Sequence, residues 1–553
     1  MMTKHSKFSP LERLIKLIKH EKDDLFILSY LALGYSLLSI ATPVAVQALV
    51  NNITMGGVIQ PLVVISIILF ALLVLSGFLY ILEIYIVELI ERRFFVGTAM
   101  QMTQKTQGAV LSIYDQTNPV ELVNRFFDIP TIQKSAAILL TVGFISSIQI
   151  IIGSMILIFY SFYFAIIAFM VLICFWFIFS VLGKNATKTA IEESEAKYAS
   201  GAWLESIAGN FYLFKFYNGL HLASSYTNTL ANQYLEKRTS HFSSLLRQTI
   251  SAVMFYAFIG AVMLATGGVL VVNSHINLGQ FVAAELIFFS ILGAFVRLVS
   301  KLGDYYDMLA ALDKIGMLDD LPQEEITSTQ IALDNLSVLR ANKISFSYSD
   351  RIHPIQNISF QLKKGSNLAI LGKSGSGKST IIDLITGLRT PTNGQVKYNA
   401  IDLRQINCEI LRSKIGIATK VEIIEASILD NIQLNNTNIS MHEINEVLAE
   451  LSLIDDFAKL EHGLNTVLTG FGAPLSTTQL QRLMLVRAIV TKPELLIIDG
   501  MIDTLSLAEI KALIDYLIKR KNDWMLLLTT RSEEIAALFD QQLTLSDLTD
   551  HTR

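Results

Sequence analysis

Nine residues, Gly372 to Thr380, read GKSGSGKST and fit the pattern G-x-x-x-x-G-K-[ST], with Gly372, Gly377, Lys378 and Ser379 at the fixed positions. The glycines let backbone N–H groups approach phosphate oxygens, and the N-terminus of a following helix adds positive potential. Lys378 is placed to reach the β- and γ-phosphates and the Ser379 hydroxyl to sit on Mg²⁺, while Ser374, Gly375, Ser376 and Thr380 complete the cradle. An apolar run, Leu368 to Leu371, precedes the motif and a helix-like stretch, Ile381 to Leu388, follows it. That strand–loop–helix context is what the motif requires, and the implied chemistry is binding of ATP with Mg²⁺.

The elements that hold this loop occupy less than half of the chain. Its 553 residues exceed one compact domain, and 52% hydrophobic against 17% charged residues is too apolar for an ordinary soluble protein. A net charge of −4 gives no support to a nucleic-acid partner. Two distant cysteines, Cys174 and Cys408, make neither a disulfide framework nor a metal cluster. Three stretches, Leu25–Leu82, Ser135–Gly183 and Gln248–Ala284, lack Asp, Glu, Lys and Arg. Each is too long for one membrane helix of about 20 residues and suits two joined by a turn. Six spans are therefore expected near 25–49, 60–88, 136–158, 162–182, 249–272 and 279–299. Glu285, inside the sixth, reads either as part of a transport path or as a residue facing the wet outer end of the bundle.

Charge sets the orientation. Lysines and arginines crowd the N-terminus and the segments between spans 2 and 3 and between spans 4 and 5, and the three short turns carry none. Both termini and both long loops are thus expected in the cytoplasm, with the membrane helices extending into it. Residues 1–24 read as an amphipathic helix on the inner membrane surface (Leu11, Leu14, Ile15, Ile18) and not as a cleavable signal peptide. Residues 25–320 form the membrane domain, 321–335 a linker, and 336–553 a soluble α/β domain in which short apolar runs alternate with turns and amphipathic helices.

Six spans followed by such a domain resemble an ABC exporter half-transporter over nearly the whole chain. The expected fold is an α-helical six-span transmembrane domain followed by an α/β P-loop ABC nucleotide-binding domain. The membrane half is most similar to the type I secretion and bacteriocin-exporter branch, on the stretches ATPVAVQALVNN (41–52), NPVELVNRFFDIPTIQK (118–134) and NLGQFVAAELIFF (277–289). The resemblance implies a dimer with two composite ATP sites in the inner (plasma) membrane of a bacterium. Tyr348, in ISFSYSD, matches the aromatic that stacks on adenine, and Asp499, ending ELLIID, matches the Mg²⁺-associated aspartate. In LSTTQLQR (475–482), Ser476 and Gln479 match residues that reach nucleotide bound to the partner domain.

Four positions depart from the family's pattern together. Lys420 stands where a glutamine contacts Mg²⁺ and water. An ammonium cannot ligate a cation, so it either neutralises phosphate or turns outward. Thr477 and Thr478 replace two glycines that allow close approach to the γ-phosphate. Gly500 stands where a glutamate polarises water, with Glu509 the nearest later glutamate, and Thr530 where a histidine senses the γ-phosphate. The adjoining dimer-contact segment, Asp503 to Ser506, is altered too. The resemblance therefore implies an ATP-binding export subunit with an eroded hydrolysis site, as a homodimer or beside an intact exporter half. The alternatives are an ATP-binding pseudoenzyme that regulates or scaffolds, and an active homodimeric exporter. The exported substrate is unassigned, with a peptide or protein favoured by the secretion-branch likeness. Closing of paired domains would pass through loops near Val120–Ile129 and Ala202–Phe214 toward the region Lys420–Ile432.

Overall fold

The computed structural model describes residues 8–115, 122–324, 331, 333–348, 355–504, 506–520 and 522–545. Two compact units result: Met1–Ala109 with Ile113–Gln323, and Val110–Ser112 with Glu324–Arg553. Val120 and Glu121 of the first expected coupling loop, part of the expected linker, and Leu505 lie outside the described residues.

The first unit is helical. Among the described residues, six helical stretches are long and apolar enough to cross a membrane: Lys22–Thr54, Ile59–Gln107, Asn124–Tyr160, Phe162–Leu182, Gly219–Val272 and Leu278–Asp319. The turns between the paired spans follow from local chemistry. Gly56 and Gly57 adopt φ +107° and +58°, which side chains disfavour, before the second stretch. Ser161 leaves the helix in extended conformation and caps the fourth stretch. Asn277 and Gln280 form a reciprocal capping box at the start of the sixth.

The first span differs from the expected single helix. It breaks at Ser39-Ile40 into Lys22–Leu38 and Ala41–Thr54. Pro43, one turn later, has no N–H for the Ser39 carbonyl, and the Ser39 hydroxyl donates to the Ser36 carbonyl at 2.7 Å. The 49-residue helix Ile59–Gln107 and the 54-residue helix Gly219–Val272 are each roughly 75–80 Å long at about 1.5 Å per residue. A hydrocarbon layer of about 30 Å accounts for less than half of that. The polar halves are joined by ion pairs such as Lys237–Glu192 (2.9 Å) and Arg238–Glu193 (2.7 Å), between Gly219–Val272 and the helix Ala186–Gly209. The N-terminal helix, Pro10–His20, leaves Leu11, Ile15 and Ile18 exposed, turns Leu14 inward, and is tied by Arg13 to Asp320 at 2.5 Å.

Among its described residues the second unit contains nine strands: β1 Val338–Phe346, β2 Ile355–Lys363, β3 Asn367–Leu371, β4 Asn393–Tyr398, β5 Ile401–Asp402, β6 Ile415–Ala418, β7 Leu495–Asp499, β8 Met525–Thr530 and β9 Gln541–Thr544. They form an antiparallel sheet in the order β2-β1-β4-β5 and a parallel sheet in the order β6-β7-β8-β3-β9. β7 (LLIID) and β8 (MLLLTT) read as unbroken apolar runs because both faces of the parallel sheet are covered. One face packs on Ile381, Ile382 and Ile385 of the helix Lys378–Ile385, and the other on Leu483, Met484 and Val486 of the helix Thr477–Val490. The register sets Leu371 beside Thr530 and Asp499 beside Thr529. The carboxyl ends of β3, β7 and β8 thus converge, the usual ligand edge of an open α/β sheet.

Candidate nucleotide-binding site

The phosphate loop leaves β3 and enters the helix Lys378–Ile385. Gly375 and Gly377 hold φ +82° and +93°, and a Cβ on Gly372 would come within 2.4 Å of the Ser376 hydroxyl oxygen. These glycines are required by backbone shape and close packing. Ser376 is buried, with a hydroxyl oxygen that has no hydrogen-bond partner among the described residues, while Ser374 is exposed at the tip. The Lys378 ammonium is held over the loop by the carbonyls of Gly372 (2.5 Å) and Lys373 (2.7 Å). Burial pushes its pKa below the ordinary lysine value, the charges of Asp499 and Asp503 pull it up, and Arg531 adds to the lowering.

At the mouth of the loop the Ser379 hydroxyl donates to Asp499 Oδ2 at 2.6 Å, and the buried Thr529 hydroxyl donates to Asp499 Oδ1. Thr529 was not singled out from the sequence, because its role depends on the parallel register of β7 and β8. Tyr348 is half exposed. Its hydroxyl lies 2.9 Å from Thr380 Oγ1, the Arg389 guanidinium lies 4.8 Å from its ring centre, and Phe346 packs edge-on at 5.0 Å.

These residues fit a Mg²⁺-nucleoside triphosphate. A buried hydroxyl without a partner, a glycine cradle that a Cβ would fill, and an ammonium suit phosphate oxygens. Ser379 and Asp499 offer two hard oxygens side by side. Among the described residues there is no cluster of three His, Cys, Asp or Glu. One hydroxyl and one carboxylate suit Mg²⁺, which takes few protein ligands and completes its shell with phosphates and water.

The remaining sequence-derived positions are placed differently. Lys420 is exposed and pairs with Glu422 at 3.0 Å, the outward option. Gly500 holds φ +65°, and a Cβ there would meet no atom within 4 Å. The buried Thr530 hydroxyl donates to Asp503 Oδ1 at 2.7 Å, and Arg531 Nε lies 3.3 Å from Asp503 Oδ2. Glu509 caps the helix Leu507–Lys519 through Ser506 and accepts from Arg482 at 2.6 Å. The hydrogen bonds from Ser506, and then Arg482, hold its carboxyl below its ordinary pKa, which makes it a poor base. Ser476 and Gln479 bond to each other in a capping box at the start of the helix Thr477–Val490, with Thr477 and Thr478 exposed beside them. In the helical unit Glu285 lies half-buried two turns into its helix. Glu83, inside the expected span 60–88 but not singled out, is completely buried.

A six-span helical unit and an α/β unit with a phosphate cradle at its sheet edge define the class of ABC transporters. Two family profiles agree: "ABC transporter transmembrane region" over residues 25–295 and "ABC transporter" over residues 355–502. The chain belongs to the ABC transporter family and is a multi-pass membrane protein. Among curated relatives it is 30% identical over 235 residues to the "Alpha-hemolysin translocation ATP-binding protein HlyB" of Escherichia coli O157:H7, covering 42% of this chain and 33% of that protein. It is 28% identical over 270 residues to the "Leukotoxin translocation ATP-binding protein LktB" of Mannheimia glucosida, covering 47% of this chain and 38% of that one. The matches thus span little more than a third of these relatives' length. The solved structure of a bacterial Atm1-family ABC exporter with ATP bound superposes with a TM-score of 0.82 at 18% identity, over 96% of this chain and 94% of the other, and establishes the exporter fold.

Proposed function

We propose that this chain is an ATP-binding export subunit of a bacterial inner membrane that binds MgATP through its phosphate cradle and hydrolyses it slowly or not at all. One observation carries the reading. The groups that would grip the nucleotide are gathered around the phosphate loop, and the groups that would activate water are absent or engaged elsewhere. Lys378, Ser376, Ser379 and Asp499 would hold the phosphates and Mg²⁺, with Tyr348 against the adenine. The bound Mg²⁺ would neutralise charge between the β- and γ-phosphates. Lys420 is drawn to Glu422, Gly500 has no side chain, and the Thr530 hydroxyl donates its hydrogen bond to Asp503. A missing general base alone typically costs about 10²–10⁴ in rate.

The chain works as half of a dimer, with a second copy or with an intact exporter half that supplies catalysis. Ser476, Gln479 and the start of the helix Thr477–Val490 would face the partner's nucleotide. The helix is capped there, so its free N–H groups stay oriented, while two exposed threonines crowd the approach. The nucleotide-binding unit and both termini lie in the cytoplasm. The short helix Phe211–Lys215, with exposed Phe211 and Tyr212, would serve as a docking knob at the tip of the second long loop. Relatives named for translocating hemolysin and leukotoxin favour a peptide or protein substrate.

The test is ATP binding and hydrolysis measured on one sample of the full chain in nanodiscs, beside Lys378→Ala. Lys378-dependent binding with negligible turnover is expected. Ordinary Mg²⁺-dependent turnover abolished by Lys378→Ala would replace this reading with an active homodimeric exporter. Adding an intact exporter half then separates the transporter from a regulator, since only the transporter regains turnover in the pair.

A further inference from the structure

Glu83 has no accessible surface, and neither of its carboxylate oxygens has a hydrogen-bond partner among the described residues. It lies on the helix Ile59–Gln107, on the face that also buries Ser76, Val87 and Ile90. That face packs on the helix Lys22–Leu38, whose buried residues are Leu28, Ala32 and Ser36. Two cross-contacts fix the antiparallel register: a Cβ on Gly34 would sit 2.9 Å from Leu79, and the rings of Tyr35 and Tyr80 are 5.8 Å apart. These contacts bring Glu83 level with Tyr30 to Ala32. Of that segment Ala32 is buried and Tyr30 is exposed, so the residue on the buried face at this level is an alanine, which carries no polar side-chain atom.

Among the described residues, the surroundings supply no counter-charge. Arg93, two to three turns along the same helix, is paired with Asp24 and lies 3.8 Å from Glu21. On the third packed element, the helix Ile129–Ile138 and its continuation, Ala137 and Leu140 face the cluster, and Lys134 is exposed. The other titratable groups nearby are Tyr30, Tyr35, Tyr80, Tyr85, Glu88, Glu91 and Arg92; Arg92 is exposed and paired with Glu88 at 2.8 Å, and the two carboxyls can only disfavour a second negative charge. A buried carboxylate with neither a cation nor hydrogen bonds is neutralised rather than held as an ion. Glu83 stands 24 residues after Ile59, or about 36 Å along the helix against a hydrocarbon layer of about 30 Å. With the hydrocarbon layer beginning near Ile59, Glu83 would sit near its far edge, on the side of Glu88, Glu91, Arg92 and Arg93.

We propose that Glu83 is a proton-binding site that links the packing of these two membrane helices to pH. The carboxyl is a neutral acid while the helix Lys22–Leu38 covers it. When the helices part, the O–H bond breaks, the proton passes to water, and the remaining carboxylate is solvated. Rising pH therefore favours the parted arrangement and falling pH the packed one. This does not depend on the reading of the nucleotide site.

The experiment uses the full chain in nanodiscs, with Cys174 and Cys408 changed to alanine and a reporter at Ala32→Cys. The rate of labelling by a charged, water-soluble thiol reagent is measured against pH with Glu83 present and with Glu83→Gln. The ratio of the two rates cancels ionisation of the reporter thiol. That ratio is expected to rise with pH, toward tenfold per unit once the ionised open form dominates. A flat ratio overturns the proposal. Should the glutamine or reporter variant fail to fold, infrared spectra of the unmodified chain carrying ¹³C-labelled glutamate decide the matter. A protonated glutamate carboxyl band at neutral pH is expected, and its absence overturns the proposal.

Discussion

At the phosphate cradle, Ser379 and Thr529 both donate to Asp499, and Lys378 is held over the loop by two carbonyls. A few residues away, at the rim where water would be activated, Lys420 turns to Glu422, Gly500 offers open space, and Thr530 is bonded to Asp503. On the proposed reading, binding and hydrolysis draw on different groups, so one could be lost while the other is kept. The cradle depends on backbone shape and buried partners, and changes there would disturb the sheet edge itself. The rim depends on single side chains, two of which, Lys420 and Thr530, are engaged by other residues.

The largest expected effect comes from rebuilding the rim. Lys420→Gln combined with Gly500→Glu should raise hydrolysis about 100-fold, at the low end of what a general base contributes. A glutamate at φ +65° carries roughly 1–2 kcal/mol of backbone strain, and Thr530 remains engaged. Phosphate release assays read the change directly, and no increase would mean that the erosion extends beyond these positions. Breaking the cradle comes next. Lys378→Ala removes a charged hydrogen bond, worth about 1.5–3 kcal/mol, so the ATP dissociation constant should rise roughly 10- to 100-fold in a fluorescence titration.

The same ammonium gives the cradle a pH dependence. Its pKa is lowered by burial, and bound phosphate favours the charged form, so binding takes up a proton at alkaline pH. Affinity should therefore fall as pH rises, beginning below the ordinary lysine value, and Lys378→Ala should flatten that slope. A smaller effect is expected from Thr529→Val, which removes one hydrogen bond to Asp499. Affinity measured with Mg²⁺ should weaken about fivefold, in keeping with about 1 kcal/mol, and affinity measured with EDTA should change little. The smallest is Ser476→Ala, which loses a helix cap and about 1 kcal/mol of stability. A lower thermal midpoint with unchanged ATP affinity in the isolated chain would place Ser476 outside the cradle of its own domain.

Much of this was legible in the sequence because the signals are local. The phosphate loop is a contiguous motif, the uncharged stretches announce membrane helices, and the excess length of the long helices follows from their polar but periodic loops. Contacts set by tertiary register were not legible. Thr529 matters because β7 and β8 align it with Asp499, and Thr530 because the same strand aims it at Asp503. The direction taken by Lys420 depends on Glu422, which the sequence offered only as one of two options. The break at Ser39-Ile40 had a visible cause in Pro43. Glu83 had a visible signal too, as a carboxylate inside an expected span, but its burial depends on the packing of the helix Lys22–Leu38 against its own helix.

The most direct test follows the fate of bound nucleotide. The full chain in nanodiscs is loaded with ATP and Mg²⁺, freed of unbound nucleotide, incubated, and denatured so that the bound species can be separated. Recovery of intact ATP from the unmodified chain, with ADP and phosphate appearing in the Lys420→Gln, Gly500→Glu variant, is the predicted result. Prompt conversion to ADP by the unmodified chain would contradict the separation of cradle from rim.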